Sequence, residues 1–110
     1  MNELVQRLAN GDHPVRLSRP EDTIEEVKQR ILVGFVLVKF TDTQGGTELG
    51  VAVDPEATDV STVDWEQGSG MAHIEGGLTL NYVRVRCVAD IDMASREGKG
   101  HLEIIEEISP

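Results

Sequence analysis

The stretch that decides the fold is FVLVKFTDTQGGTELGVAVD, residues 35–54, in which two largely apolar runs flank a pair of glycines. Both runs fit the two-residue period of a β-strand, because their valines fall at every second position. With the glycines at 45–46 as a two-residue turn, Phe40 falls opposite Val51 and the apolar residues of both runs share one face. The sequence therefore predicts an antiparallel hairpin with one buried face.

A second hairpin is predicted over residues 71–82, which contain another pair of glycines. A three-residue loop at 75–77 sets Ile74 opposite Leu78, whereas a two-residue glycine loop matches the apolar residues less well. The three-residue loop turns His73 outward, away from the apolar face.

The chain then continues as a long strand, residues 83–92, whose apolar positions fall on odd numbers instead of the even numbers of the preceding run. A one-residue phase shift within a strand predicts a bulge or bend at 82–83. A third hairpin that turns at 97–98 places Ile91 opposite Ile104. Together the three hairpins predict a curled antiparallel sheet.

Two helices are predicted before the first hairpin. Residues 2–9 place apolar side chains on one side at helical spacing. Thr23 and Glu26 have the spacing of a capping box, and Gly34 can end the second helix. Between the helices, residues 15–18 predict a brief edge strand.

The predicted fold class is α+β, with a single domain over residues 1–110. Two N-terminal helices precede a curled, mainly antiparallel sheet or partial barrel of five to six strands. A chain of 110 residues is long enough for one hydrophobic core and too short for two. Folds of this kind serve many functions, so the fold by itself assigns no reaction.

Charge and composition limit the partners and the location. Twenty acidic residues against ten basic ones give a net charge of −10, which repels nucleic-acid phosphates and anionic membrane surfaces. Cationic ligands, metals and basic protein surfaces remain open, and the charge can also serve solubility alone. The chain has no apolar run of the roughly 20 residues that a membrane span needs, no signal-peptide pattern and a single cysteine. These features predict a cytoplasmic protein.

Polar side chains share one face of the long strand in this register. Asp90 and Asp92 lie there with His101 and Glu103 from the returning strand. Asp92 falls opposite Glu103, and two like charges in that position favour a nearby cation. In one interpretation the cation is a divalent metal held by Asp92, His101 and Glu103; in the others it is an arginine or the face is simply solvated. Asp90 and Asp92 are also a candidate catalytic pair for acid–base work, which requires one of them to be buried.

Three apolar side chains are candidates for contact with another protein. Phe35 and Leu37 point away from the valine stripe of their own strand. Trp65, the only tryptophan, lies in the long connection after the first hairpin, where it either covers the core or binds a ligand. Cys87 falls on the apolar face and is predicted to be a core residue with no activating base.

The leading functional prediction is a non-enzymatic accessory or protein-interaction module, with a homo-oligomer as one form of it. It rests on the outward apolar residues and on the lack of a specific catalytic motif in the sequence. One alternative is an acidic inhibitor or immunity-type protein for a basic partner. The other is a small enzyme or ligand-binding cup for a small molecule, which would use the polar residues Asp90, Asp92, His101 and Glu103.

Overall fold

Six strands close into an antiparallel barrel that two short helices accompany. The structure is a computed structural model that describes residues 3–17 and 21–107. In chain order the elements are α1 (Glu3–Leu8), β1 (His13–Leu17), α2 (Ile24–Val33), β2 (Phe35–Phe40), β3 (Thr47–Val53), β4 (Met71–Leu80), β5 (Val83–Asp92) and β6 (Glu97–Glu107). Each strand pairs with the next along the chain, and β1 pairs with β6 to complete the ring.

The mainly antiparallel sheet agrees with the predicted fold class, but the order of the first elements does not. Only α1 precedes the strands, because β1 lies between the two helices. β1 is also not an edge strand, since Val15 lies opposite Phe40 of β2 and Gly98 of β6. Closure pairs the backbone groups that an edge strand would leave open. The predicted helix residue Asn2 and strand residue Ser18 lie outside the described residues.

Helix α2 begins and ends where its capping residues predict. The Thr23 hydroxyl accepts a hydrogen bond from the Glu26 amide at 3.2 Å. Gly34 follows the helix in the left-handed region, with φ 103°, and its amide donates to the Arg30 carbonyl oxygen. Val27 is buried, so the helix packs one side against the barrel.

The first hairpin joins β2 and β3 through a longer loop than predicted. Phe40 lies opposite Thr47, four residues from its predicted partner Val51, so the loop spans 41–46. Within that loop the buried Thr43 hydroxyl shares a 2.7 Å hydrogen bond with the Thr47 hydroxyl, which holds the turn in this position. The predicted register is wrong by four residues. Because side chains alternate between faces every second residue, an even shift leaves the predicted face buried.

The second hairpin turns at Asn81 and Tyr82 and not at the glycine pair. Both turn residues have positive φ, 49° and 65°, as a two-residue turn of this hairpin type requires. This turn causes the change from even to odd apolar positions in the sequence. The bulge predicted at 82–83 is therefore wrong. The register shift lies farther on, where Ile105 is the extra residue of β6.

The glycine pair lies inside β4, and its two members face opposite sides. Gly76 faces inward, where a Cβ atom would overlap the Ala52 carbonyl oxygen and come within 2.6 Å of Val51 Cγ1. Gly77 faces outward, where a Cβ atom would meet only a backbone oxygen at 3.9 Å. In the described residues β3 and β4 pair only at Ala52 with Gly77 and at Val53 with Gly76. The close approach at Gly76 therefore allows the barrel to close at this seam.

The third hairpin turns through residues 93–96, earlier than predicted. Ile91 lies opposite Gly98, six residues from its predicted partner Ile104. The Asp92 carboxylate accepts a hydrogen bond from the Ala94 amide at 2.8 Å, which fixes the start of the turn. The error is again even, so Leu102 lies on the predicted buried face of β6, whereas Ile104, beside the register shift, is 47% exposed.

Inward side chains from all six strands fill the barrel, together with two from α1 and Met93 from the turn after β5. The largest of the fully buried ones are Phe40, Leu8, Ile74, Ile91, Met93 and Leu102. Such filling is typical of small barrels, in which side chains occupy the interior completely. Ligand-sized openings of the described residues therefore lie on the outer surface. No helix in residues 3–17 or 21–107 is long and apolar enough to cross a membrane.

Candidate functional site

Five charged or titratable side chains form a continuous chain of hydrogen bonds on the outer face of β4 and β5, and we call this the ionic network. His73 lies within it, with Nδ1 2.7 Å from Asp90 Oδ1 and Nε2 2.6 Å from Glu75 Oε2. The Arg86 guanidinium donates to the other Glu75 oxygen at 2.9 Å and to Asp54 Oδ2 at 2.8 Å. The network thus alternates in charge along its whole length when His73 is protonated.

The strand pairing brings these residues together. His73 and Glu75 are two residues apart on β4 and therefore point to the same outer face. The turn at the end of β4 sets His73 directly opposite Asp90 of β5. Asp54 follows β3, and its amide donates to the Glu75 carbonyl oxygen at 2.8 Å. The chain just after β3 is thereby held against the outer face of β4.

The network changes the ionisation of its members in a consistent direction. The hydrogen bond that His73 donates to Glu75 raises the pKa of His73, and its bond to Asp90 raises it further against the opposing effect of burial. The same bond to His73, followed by the one to Arg86, lowers the pKa of the Glu75 carboxyl. Arg86 likewise lowers the pKa of the Asp54 carboxyl. Each ionised carboxylate therefore stabilises the positive charge of its neighbour. All hydrogen bonds of the network form with ionised groups when His73 is an imidazolium.

Beside the network lies an open groove of about 590 Å³, which we call the polar groove. The structure brings Asp90, Asp92 and His101 to its lining, together with Asp12 and Lys99. Asp90 and Asp92 point to the same outer face of β5, as the sequence predicts for the even-numbered residues of this strand. The lining contains both signs of charge and is open to solvent, so it can bind a polar molecule but cannot enclose one.

The predicted opposition of Asp92 and Glu103 is wrong. Asp92 lies opposite Met71 of β4, and Glu103 lies opposite Arg86 of β5, because β6 returns six residues earlier than predicted. The like-charge pair that called for a cation therefore does not form. His101 instead lies 3.2 Å from Asp12 Oδ1 and 3.5 Å from Glu103 Oε2.

Metal ligation finds no support in the arrangement of these side chains. Within the described ranges, no three histidine, cysteine or carboxylate side chains are grouped so that they could hold a metal ion. Asp92 binds a backbone amide of its own turn, away from His101 and Glu103. His101 contacts two carboxylates, Asp12 at 3.2 Å and Glu103 at 3.5 Å, and they bind different ring nitrogens.

The candidate catalytic pair, Asp90 and Asp92, is brought to one groove without becoming a buried pair. The Asp90 side chain is 56% exposed and bonded to His73. The Asp92 carboxylate serves the turn after β5. A carboxylate bonded to an imidazole can exchange a proton with it, but acid–base catalysis also needs a site that excludes water around the substrate.

A group of apolar side chains is exposed at the junction of α2 and β2, and we call it the apolar surface. Leu32, Val33 and Phe35 are 66%, 81% and 52% exposed. Leu37 continues the surface along the outer face of β2 and is half-buried. The Phe35 ring lies over Gly50 of β3, where a Cβ atom would come within 2.7 Å of its Cζ. The glycine therefore gives the ring its place against the outer face of the barrel.

A small cavity of about 70 Å³ opens beside Phe35 and Leu37. Its other apolar walls come from Leu17, Val27 and Val36, which belong to the buried core. Asp22 and Arg30 also line it and form an ion pair of 2.8 Å. The cavity is thus an apolar recess at the margin of the apolar surface, with a satisfied charged pair in its wall.

The remaining candidates from the sequence are placed as parts of the hydrophobic interior. Trp65 is half-buried and packs against the core, with the Lys28 ammonium 5.9 Å from its ring centroid. Cys87 is buried, and burial raises the pKa of its thiol to about 12. A thiol with that pKa is almost entirely protonated at neutral pH and is a poor nucleophile.

The ionic network was missed because its central contact depends on one turn. With a loop at 75–77, His73 has no partner on β5, whereas a turn at Asn81 and Tyr82 puts it opposite Asp90. The signal was the switch in apolar numbering at that point, which a two-residue turn produces as readily as a bulge does.

Comparison with known proteins gives no family for this fold and site. No protein-family model matches the chain. No curated protein matches it either.

Proposed function

We propose that this protein is a non-catalytic interaction module that binds another protein through the apolar surface. The observation that carries the proposal is the exposure of three large apolar side chains within four residues of sequence, Leu32, Val33 and Phe35, at the junction of α2 and β2. Single exposed apolar residues are ordinary, whereas adjoining ones beside a recess are typical of protein contacts. Complete burial of one such side chain contributes roughly 1.5–3 kcal/mol.

The apolar surface is suited to binding with little reorganisation. Phe35 rests on Gly50, so its ring loses little conformational freedom when a partner covers it. The adjacent cavity of about 70 Å³ can receive a small apolar side chain of the partner. Aromatic residues and recesses of this kind supply most of the binding free energy in protein interfaces.

Charge supports a protein partner over a nucleic acid or a membrane. The net charge of −10 opposes approach to phosphate groups. Beside the cavity at the margin of the apolar surface, Arg30 is already paired, since it binds Asp22. A protein that covers this surface therefore need not supply a charge to Asp22 or Arg30, because each already has its partner. A cytoplasmic location belongs to the same proposal and is supported by the single, buried Cys87.

The test compares wild type with Phe35→Asp and Val33→Asp. Sedimentation velocity at micromolar concentration measures self-association, and quantitative affinity isolation from cells that produce the protein measures other partners. We expect either form of binding to weaken about tenfold or more in both variants, because a carboxylate at the contact centre opposes desolvation.

Tyr82→Asp is the matched control, since Tyr82 is 67% exposed and lies in the β4–β5 turn, away from the apolar surface. Binding by this variant should equal that of wild type. A wild type that stays monomeric and recovers no protein in a Phe35-dependent way would overturn the proposal.

A further inference from the structure

Two basic residues are cross-strand partners on the outer face of β1 and β2, and the Lys39 side chain lies along Gly46 of the β2–β3 loop. Arg16 and Lys39 lie directly opposite each other in the antiparallel pairing. Like charges in that position are unfavourable unless an anion lies near them. In the part of the chain that the structure describes, neither forms an ion pair, whereas Arg30, Arg84 and Arg86 each bind a carboxylate.

Arg16 has a donor without an acceptor. Its Nε atom is buried and has no hydrogen-bond partner. A buried polar atom without a partner costs free energy, and more so when it belongs to a charged group. Because Nε is buried, a carboxylate or phosphate group from outside meets the terminal nitrogens of the guanidinium, which are charged donors for such oxygens.

Carboxylates of the chain itself flank the two cations without binding them. Glu97 of β6 lies opposite Arg16 on its other side, and Glu48 of β3 lies opposite Lys39 on its other side. Both glutamates are exposed, and in the described residues neither is in ion-pair contact with its neighbour. The two glutamates therefore offset the like charges from a distance, and in the described residues they leave the guanidinium and ammonium donors without a bonded carboxylate.

The cations adjoin the apolar surface. Phe35, Leu37 and Lys39 alternate along β2 and so point to the same outer face. A strand rises about 3.4 Å per residue, which places Lys39 roughly 13 Å from Phe35. A protein that covers Phe35 can thus reach Lys39 and Arg16 with the same surface.

We propose that Arg16 and Lys39 form the oxyanion-binding end of the interaction surface and receive a side-chain carboxylate of the bound protein. This inference rests on the proposed function, because the apolar surface supplies the adjoining contact. The partner is therefore acidic where it meets β1 and β2, although this chain is acidic as a whole. Ionic screening over about 8 Å at physiological salt makes such a local contact compatible with the net charge.

The test uses small probes, so that it does not depend on an identified partner. N-acetylglutamate α-amide carries one side-chain carboxylate, and N-acetylglutamine α-amide is its neutral control. We expect the carboxylate probe to cause a saturable NMR shift of the Arg16 Nε–H resonance, and the neutral probe to cause none. Inorganic phosphate forms a third arm, which separates a site for protein carboxylates from one for free phosphate.

Substitutions assign the shift to the two cations. Arg16→Lys keeps the charge but removes the guanidinium and should weaken binding of the carboxylate probe several-fold; Lys39→Gln should do the same, followed through the Arg16 resonance. Arg84→Gln, which removes an arginine already paired with Glu106, should leave binding unchanged. Thermal unfolding of each variant shows that the barrel is intact.

The absence of a saturable shift with the carboxylate probe, or a shift with phosphate alone, would overturn this inference. Neither result would bear on the apolar surface, which Phe35→Asp tests separately. Loss of partner binding in Phe35→Asp together with carboxylate binding at Arg16 supports both proposals.

Discussion

Replacing Gly76 by alanine should open the barrel, while the same replacement at Gly77 should not. Gly76 faces inward at the seam between β3 and β4, and a Cβ atom there would overlap the Ala52 carbonyl oxygen. The new methyl group can fit only if β3 moves away from β4. Because these strands pair at two positions in the described residues, that movement breaks their whole ladder.

The magnitude follows from two contributions. An added methylene-sized group in a packed interior costs about 1–3 kcal/mol through displaced backbone and side chains. The hydrogen bonds of the short ladder contribute about 0.5–1.5 kcal/mol each. We therefore expect Gly76→Ala to lower the free energy of unfolding by about 3–5 kcal/mol, a large share of the roughly 5–15 kcal/mol of a typical domain.

Gly77→Ala is a control of the same chemistry at the next position. Its φ is not positive, and a Cβ atom would meet nothing closer than 3.9 Å. Alanine restricts the unfolded chain, so this variant should be stabilised by about 0.4–1 kcal/mol. Urea unfolding followed by the fluorescence of Trp65 measures both. At a slope of about 2 kcal/mol per molar urea, the two midpoints should differ by about 2–3 M.

Equal losses of stability in the two variants would refute this reasoning. Equal losses are the result expected if the glycine pair formed a tight turn with positive φ at both residues, as the sequence pattern alone suggests. The comparison therefore tests the position of β4 and the closure of the barrel together.

Three further predictions concern single residues. The pKa of His73 is raised in the folded protein, so the imidazolium stabilises the fold fully below the ordinary pKa of 6.5. This stabilisation is lost as pH rises through the folded-state pKa. NMR titration of the ring should show a lower His73 pKa in Glu75→Gln and in Asp90→Asn. The Cys87 thiol should react with a disulfide reagent at neutral pH only at the rate of unfolding, because its pKa of about 12 and its burial keep it protonated and covered. Tyr82→Gly should raise the free energy of unfolding by about 1 kcal/mol, measured by urea unfolding, since it removes a non-glycine residue from φ 65°.

The buried face of most strands could be predicted from the sequence, whereas cross-strand partners could not. The first and third hairpins were predicted with registers wrong by four and six residues. An even error leaves every side chain on its own face, so Phe40 and Ile91 are buried as expected. The same error moves a cross-strand partner by about 13–20 Å along the strand. The like-charge pair of Asp92 and Glu103 failed for this reason.

Turn chemistry misled the prediction where glycine had another role. Glycine pairs favour tight turns because left-handed φ costs them little. At 45–46 the glycines do have positive φ, although they end a six-residue loop. At position 76 glycine is needed for the approach of β3, and neither Gly76 nor Gly77 has positive φ. Sequence alone does not separate these two uses, because the approach involves a strand more than 20 residues away.

The candidate site depends on that one turn more than on any residue within it. Alternation alone places His73 and Glu75 on the outer face, and it places Arg86 and Asp90 on the outer face of the next strand. Their contacts follow only when the chain reverses after Leu80, which sets His73 opposite Asp90 and brings Arg86 to Glu75. A two-residue reversal accounts for the switch from even to odd apolar positions without any unpaired residue in the strand. When the apolar positions change from even to odd between two runs that are each long enough to form a strand, a turn is therefore a better prediction than a bulge. The polar residues two to eight positions on either side of that turn should then be tested as a cross-strand site.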